Sequence, residues 1–142
     1  MTAELYDLSA RYAAGADRRD AALFVSVFLS DARLRRYDPA DVSEPATDRQ
    51  GHDALAEIPG LLDRYAKTFH HLGQARFDVD GDVATGEVYC TAHHLTRDQP
   101  PVSHVLHIRY QDRYRRVEGQ WGIEDRQVLV DWTEQRSLTD EA

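Results

Sequence analysis

The sequence predicts an α+β domain in which the helices come first and the strands follow. Three observations support this fold class. Apolar residues recur at helical spacing over the first part of the 142-residue chain. Four long segments of strand character fill the second half, with turn residues between them. No internal repeat or flexible linker divides the chain, so a single domain over 1–142 is predicted.

Two helices are predicted before the first strand. Apolar residues at helical spacing over 4–14 indicate the first helix, and Gly15 is expected to end it in a left-handed conformation. Asp20 is a suitable N-cap for the second helix, whose apolar side extends to Phe28. Asp17 is therefore expected in the corner between two helices.

The middle of the chain is predicted to form a short strand, a surface loop and a third helix. The strand is expected at 32–37, and the polar stretch 38–50 with its two prolines is typical of a loop. The apolar periodicity of 53–67 predicts the third helix, which Pro59 is expected to bend or to start.

The second half is predicted to form an antiparallel meander of four long strands. Asp-Gly, Pro-Pro and Glu-Gly pairs provide the turn chemistry between successive strands. The strands are expected at 68–79, 82–96, 103–117 and 120–134.

Strand register predicts which side chains share one face of this sheet. A two-residue turn at 80–81 pairs His71 with Cys90, and the next hairpin pairs His94 with His104. Many other positions on this face hold small residues, which leaves room for a cavity. The small residues are Gly73, Ala75, Ala84, Gly86 and Ala92, and the larger ones are Phe77, Val88, Leu106, Ile108 and Tyr110.

The opposite face of the predicted sheet is polar and aromatic, which suits a contact between protein chains. We therefore expect a homodimer that forms through this sheet face. The residues of the face are Thr85, Glu87, Tyr89, Thr91, His93, His107, Arg109, Gln111 and Arg113.

Five short segments together resemble the SnoaL-like branch of the nuclear transport factor 2-like superfamily. They are RYAAGADRRD at 11–20, FHHLG at 69–73, DGDVA at 80–84, AHH at 92–94 and GQWGI at 119–123. Their order and spacing cover nearly the whole chain. The resemblance implies a cone-shaped α+β barrel, in which a strongly curved antiparallel sheet wraps around three N-terminal helices and encloses a deep pocket.

The superfamily includes dehydratases, dehydrochlorinases, isomerases and polyketide cyclases, several of which abstract a proton from carbon with an Asp–His pair. The resemblance implies that Asp17 is the aspartate and that His71 or His70 is the histidine. The uninterrupted register favours His71, whereas a β-bulge near Gly73 would turn His70 inward. A capping role for Asp17 is the structural alternative.

Six further residues are candidates for the lining of the pocket. Each also has a structural explanation, because tyrosines on apolar stripes pack in cores and a lone buried cysteine is usually an inert apolar residue. The resemblance indicates Tyr12, His94 and Arg126, and the register adds Cys90, His104 and Tyr110.

These residue types suit acid–base chemistry, because a neutral imidazole has an unperturbed pKa near ~6.5 and an adjacent carboxylate stabilises its protonated form. The sequence therefore predicts a cofactor-free enzyme of lyase, isomerase or cyclase type that takes a carbon-bound proton from a hydrophobic small molecule. The alternative is a non-catalytic, dimeric module that binds a small molecule.

No cofactor is expected, since the chain has no Gly-rich phosphate loop. A zinc site on His71, His94 and His104 is a further hypothesis. It is disfavoured because these residues lack a defined ligand spacing and a clear second-shell carboxylate other than Asp17. No metal is therefore expected.

The chain is acidic, with 25 acidic side chains, 17 basic ones and a net charge of −8. This balance argues against nucleic-acid and membrane partners, since both kinds of surface are bound largely through clustered positive charge. The first residues lack the pattern of a secretory signal, so we expect a cytoplasmic protein. Cys90 is the only cysteine, which excludes an intramolecular disulfide.

Overall fold

The computed structural model describes residues 2–139, in which helices precede the long strands. No helix in this range is both long enough and apolar enough to cross a membrane. The predicted domain 1–142 also includes Met1 and 140–142, which lie outside the described residues. The helices are α1 (Thr2–Asp17), α2 (Ala21–Ser26), α3 (His52–Ala56) and α4 (Ile58–Leu61), and a 3₁₀ turn follows at Leu62–Arg64.

Six strands form one curved sheet in the order β2-β1-β6-β5-β4-β3. All neighbouring strands are antiparallel except β1 and β6, which are parallel. Helix α1 packs against β3 and also contacts β6. The predicted cone-shaped α+β fold is confirmed, with a mixed sheet that is not closed. The strands are β1 (Phe28–Tyr37), β2 (Thr47–Gln50), β3 (Lys67–Asp80), β4 (Val83–Leu95), β5 (Val102–Val117) and β6 (Gln120–Ser137).

Helix α1 continues through Gly15 to Asp17, so the prediction that Gly15 ends the helix is wrong. Glycine is needed there for close packing against α2. A Cβ at this position would lie 2.6 Å from the backbone nitrogen of Phe24 and 2.7 Å from its Cα. The absence of a side chain at Gly15 therefore allows the two helices to meet at the Asp17 corner.

Helix α2 is shorter than predicted, because it ends at Ser26 and the chain enters β1 at Phe28. Its predicted N-cap is confirmed, since the Asp20 side chain accepts a hydrogen bond from the backbone N–H of Leu23 at 3.0 Å. The left-handed residue before this cap is Arg19, with φ 56°. Pairing with β6 thus converts part of the predicted helix into strand.

The structure also differs from the prediction in the loop and in the third helix. The end of the loop forms β2, whose Asp48 accepts hydrogen bonds from Arg33 of β1 at 2.9 and 2.6 Å. The predicted helix at 53–67 is divided into α3, α4 and the 3₁₀ turn. Pro59 lies in the first turn of α4, where its missing N–H costs no helical hydrogen bond.

The β3–β4 hairpin departs from the predicted register in two ways. Its turn lies at 81–82, since Asp80 pairs with Val83. The register then shifts between Leu72 and Ala75. Such an irregularity reverses which side chains face inward beyond it. The predicted β4–β5 pairing, by contrast, is confirmed.

Aromatic rings occupy the space at Gly86, one of the small inner-face residues that were expected to leave room for a cavity. At Gly86, a Cβ would lie 2.5 Å from the ring of Phe77 and 3.0 Å from the ring of Tyr114. Small residues on one strand thus accommodate large side chains from the neighbouring strands, which sequence position alone does not reveal.

We predict that Gly15→Ala destabilises the protein by at least about 1–3 kcal/mol, because the added methyl group must displace the backbone of α2. Gly60→Ala is the matched control, since no atom lies within 4 Å of its Cβ position and alanine favours helix. Urea unfolding of both variants measures the difference. Equal free energies of unfolding for the two would contradict the packing role of Gly15.

Candidate active site

Asp17 and His70 are in direct contact at the corner where α1 ends beside β3. The ring Nδ1 of His70 lies 2.7 Å from Oδ1 of Asp17. The His70 side chain is 9% exposed and that of Asp17 is 25% exposed, so the contact is shielded from water but still reachable. The aspartate and one of the two candidate histidines therefore lie together.

The β-bulge in β3 determines which histidine faces the aspartate. His70 pairs with Ala92 of β4, and His71 pairs with Thr91. His71 is exposed, and its ring stacks against that of Phe69 with 6.3 Å between centroids. The uninterrupted register that favoured His71 is wrong, because the irregularity near Gly73 reverses the facing of the strand.

Three hydrogen bonds hold the Asp17 carboxylate. Its Oδ1 accepts from Thr68 Oγ1 at 3.0 Å and from the ring of His70, and its Oδ2 accepts from the backbone N–H of His70 at 2.9 Å. Partial burial raises the pKa of this carboxyl, but the hydrogen bonds from His70 and Thr68 outweigh that effect and hold the pKa below its usual range. Asp17 is therefore an ionised acceptor at neutral pH.

An ionised carboxylate can only accept hydrogen bonds, so Nδ1 of His70 must donate the proton in this contact. The neutral ring then has its lone pair on Nε2. This tautomer is the one a general base requires, since Nε2 can take a proton while Asp17 stabilises the imidazolium that forms.

Arg19 fixes the position of this corner. Its Nη1 donates to Thr68 Oγ1 at 2.8 Å and to the carbonyl of Ala16 at 2.7 Å, and its Nη2 donates to the carbonyl of Leu62 at 3.0 Å. The guanidinium thereby links the end of α1, strand β3 and the 3₁₀ turn. Sequence reasoning missed both Arg19 and Thr68, because their contacts join segments about fifty residues apart.

His94 lies on the inner face next to the pair, as predicted. It is 8% exposed, and its ring centroid is 5.9 Å from that of His70 and 5.0 Å from that of Tyr65. Burial, reinforced by the nearby His70, lowers the pKa of His94 to about 4. Its Nδ1 lies 3.3 Å from the carbonyl oxygen of His104, so the neutral ring donates there.

Tyr12, Tyr110 and Arg126 form a second cluster in the core. The Arg126 guanidinium lies over both tyrosine rings, with its carbon 4.4 Å from the centroid of Tyr12 and 4.0 Å from that of Tyr110. It donates to both carboxylate oxygens of Asp112 at 2.8 and 2.7 Å and to Ser9 Oγ at 2.6 Å. These residues pack against one another instead of lining an open pocket.

Burial determines the chemistry of this cluster. Burial by itself would lower the pKa of Arg126, but Asp112 more than offsets this and holds that pKa above its ordinary value. Burial raises the pKa of Tyr12 and of Tyr110, so both remain protonated phenols. Burial also raises the pKa of Cys90 to about 11, which agrees with an unreactive core thiol.

The cavity that reaches Asp17 is an open groove of about 330 Å³. It is polar, in contrast to the deep apolar pocket that the resemblance implies. Aromatic rings fill the core beneath it, since the Tyr12 ring lies 4.7 Å from Phe24 and 5.4 Å from Tyr110. The groove is lined by Asp17, Arg19, Asp63, Tyr65, Ala66, Lys67, Thr68 and Arg97.

The three histidines considered for zinc do not converge. His71 faces away from the inner side of the sheet, where His94 lies. Nδ1 of His104 lies 3.2 Å from Nε2 of Gln135, so this imidazole contacts a glutamine side chain. Within residues 2–139, no group of three His, Cys, Asp or Glu side chains is placed to hold a metal ion.

Comparisons with known proteins agree with the observed fold. A family model described as a SnoaL-like domain matches residues 2–127. A search of curated proteins finds no match. Many solved structures match the chain. Three of them are each less than 25% identical to it, so they bear on the fold alone.

Three of these structures illustrate the likeness. A scytalone dehydratase-like protein from Novosphingobium aromaticivorans is 20% identical, with a TM-score of 0.78 over 99% of this chain and 89% of that chain. A hexachlorocyclohexane dehydrochlorinase from Novosphingobium barchaimii is 16% identical, with a TM-score of 0.82 over 99% of this chain and 92% of that one. A protein of unknown function from Nostoc punctiforme is 24% identical, with a TM-score of 0.73 over 92% and 90%.

We predict that His94 makes the stability of the protein fall in acid. The pKa of His94 is about 4 in the folded chain and near ~6.5 in the unfolded chain, so the unfolded state binds more protons between these values. Stability is therefore lost as the pH falls from about 6.5 to about 4, by up to about 3 kcal/mol for this one residue.

Urea unfolding across this pH range tests the assignment. His94→Gln removes the titrating group, so the variant should lose less stability than the wild-type protein on acidification. An identical loss in both proteins would show that His94 is not held neutral by burial.

Proposed function

The chain belongs to the SnoaL-like domain family, and on that basis we propose that residues 1–142 form one such domain that acts as a cofactor-free acid–base enzyme. The observation that supports this most directly is the contact of 2.7 Å between Asp17 and Nδ1 of His70. It leaves the lone pair of the neutral ring on Nε2, which is the atom that would take a proton from carbon.

In the proposed reaction, Nε2 of His70 takes a proton from a carbon atom next to an electron-withdrawing group of a small molecule. The C–H bond breaks, an N–H bond forms, and the electron pair moves onto the neighbouring carbonyl or expels a leaving group. Asp17 stabilises the imidazolium. The proton then returns to another carbon in an isomerisation, or leaves with the departing group in an elimination.

His94 supports this step by remaining neutral beside the pair. A second positive charge with its ring centroid 5.9 Å away would oppose formation of the His70 imidazolium. Burial lowers the pKa of His94 to about 4, so His94 stays neutral and this repulsion is absent. We infer that the neutral His94 allows His70 to become protonated without charge repulsion. We also infer that Nε2 of His94 accepts a hydrogen bond from a substrate hydroxyl.

A non-catalytic module that binds a small molecule is the second candidate. The packing of Tyr12, Tyr110 and Arg126 favours it, because this aromatic and charged cluster fills the interior that a large apolar substrate would need. The two candidates differ in whether the Asp17–His70 pair turns over a substrate.

We also propose that the outer face of the sheet binds a second copy of the chain. Phe69 is 61% exposed, Trp132 56% and Tyr89 38%, and all three belong to this face. The ring of His107 stacks on that of Trp132 with 4.2 Å between centroids, which extends the aromatic surface. Apolar surface of this kind marks interaction sites on soluble proteins.

We predict that Asp17→Asn and His70→Ala each reduce proton transfer by about 10²–10⁴-fold, the usual contribution of a general base. The measurement is deuterium incorporation, followed by NMR in D₂O, into a panel of cyclic aryl ketones and aryl keto acids, such as 1-tetralone and phenylpyruvate. His71→Ala is the matched control, because this neighbouring imidazole faces the opposite side of the sheet.

The wild-type protein and His71→Ala should both exchange deuterium faster than buffer alone. Equal exchange by wild-type protein and Asp17→Asn would remove the pair from the mechanism. Exchange at the buffer rate throughout the panel would contradict the enzyme and favour the binding module.

The dimer is tested by light scattering at micromolar concentration. We predict twice the chain mass of 16.2 kDa for the wild-type protein, and the mass of a single chain for Phe69→Asp with Trp132→Asp. Val42→Asp is the control, since this apolar residue is 76% exposed but lies in the loop between β1 and β2. A wild-type mass near one chain would contradict the dimer.

A further inference from the structure

The groove that Asp17 lines contains three cationic side chains, although the protein has a net charge of −8. The side chains of Arg19, Lys67 and Arg97 line it together with the carboxylates of Asp17 and Asp63. The charged groups differ in whether they already have partners, and this difference indicates what the groove can bind.

Both carboxylates already have partners within the protein. Asp17 accepts the three hydrogen bonds from Thr68 and His70. Asp63 Oδ1 lies 3.3 Å from Nε of Arg19, whose remaining donors are directed to Thr68 and to backbone carbonyls. With three cations and two carboxylates, the groove lining carries a formal net charge of +1.

Lys67 and Arg97 are exposed and keep their positive charge available. Within residues 2–139, no carboxylate lies within ion-pair distance of either side chain. Arg97 is held by Nη2, which donates to the backbone carbonyls of Asp63 at 2.8 Å and of Tyr65 at 3.1 Å. The rest of its guanidinium can bind a planar anion.

Tyr65 contributes an aromatic side chain to the lining of this groove. Its ring centroid lies 5.0 Å from that of His94, and the guanidinium carbon of Arg64 lies 5.0 Å from the same ring. The groove therefore combines a half-buried aromatic side chain with two cations that lack a carboxylate partner within residues 2–139, and Asp17 lines the same groove.

We propose that the substrate of this site is a small cyclic or aryl carboxylic acid, whose carboxylate binds to Lys67 and Arg97 and whose ring lies against Tyr65. This inference rests on the proposed function, and it specifies the chemical class of the substrate. Guanidinium and ammonium groups bind carboxylates through charge-assisted hydrogen bonds. The local positive potential also attracts an anion that the acidic surface elsewhere would repel.

Calorimetric titration with 2-naphthoate and with its neutral isostere 2-naphthamide tests the proposal. We expect the wild-type protein to bind 2-naphthoate about tenfold or more tightly than the amide, a preference that weakens as the salt concentration rises. The double variant Lys67→Gln with Arg97→Gln should lose this preference. Arg76→Gln removes an exposed cation elsewhere on β3 and should keep it.

Two further variants separate the possible causes. Arg97→Lys retains the charge, so it should keep most of the preference even where the carbonyl contacts are lost. Asp17→Asn should abolish deuterium exchange but still prefer 2-naphthoate, which distinguishes failure of the proposed function from failure of this inference. Equal binding of acid and amide by the wild-type protein, or an equal loss in Arg76→Gln, would overturn the carboxylate site.

Discussion

The structure of the site depends on the attachment of the Asp17 carboxylate to strand β3. Asp17 is the last residue of α1, where the helix dipole is negative and an ionised carboxylate is unfavourable. The three hydrogen bonds from Thr68 and His70 offset this cost. They also join the first helix to an edge strand more than fifty residues away, so the same contacts that stabilise the fold orient the imidazole.

Two local features make this attachment possible. Gly15 lets α2 approach α1 closely, which turns the chain at the Asp17 corner. The irregularity between Leu72 and Ala75 turns His70, and not His71, toward that corner. The core contains the buried ion pair of Arg126 with Asp112 beside its aromatic neighbours, and the groove that Asp17 lines is open to solvent.

The sequence predicts the fold class, the order of helices and strands and the β4–β5 register, because these follow from apolar periodicity and turn chemistry. The family resemblance also singles out Asp17 and two histidines as candidates, one of which contacts Asp17 in the structure. The sequence does not decide whether the β-bulge near Gly73 forms, since that depends on pairing between strands. Nor does it assign Arg19 and Thr68, whose roles come from contacts across the fold, or show that the Tyr12 and Arg126 region is filled.

The tautomer of His70 tests the central claim most directly, because the proposed chemistry requires Nδ1–H bound to Asp17 and a free lone pair on Nε2. Imidazole nitrogens of ¹⁵N-labelled protein report this by NMR. We predict a protonated Nδ1 for His70 in the wild-type protein, with a downfield proton signal that disappears in Asp17→Asn. A protonated Nε2 in the neutral ring, unchanged by Asp17→Asn, would contradict the account.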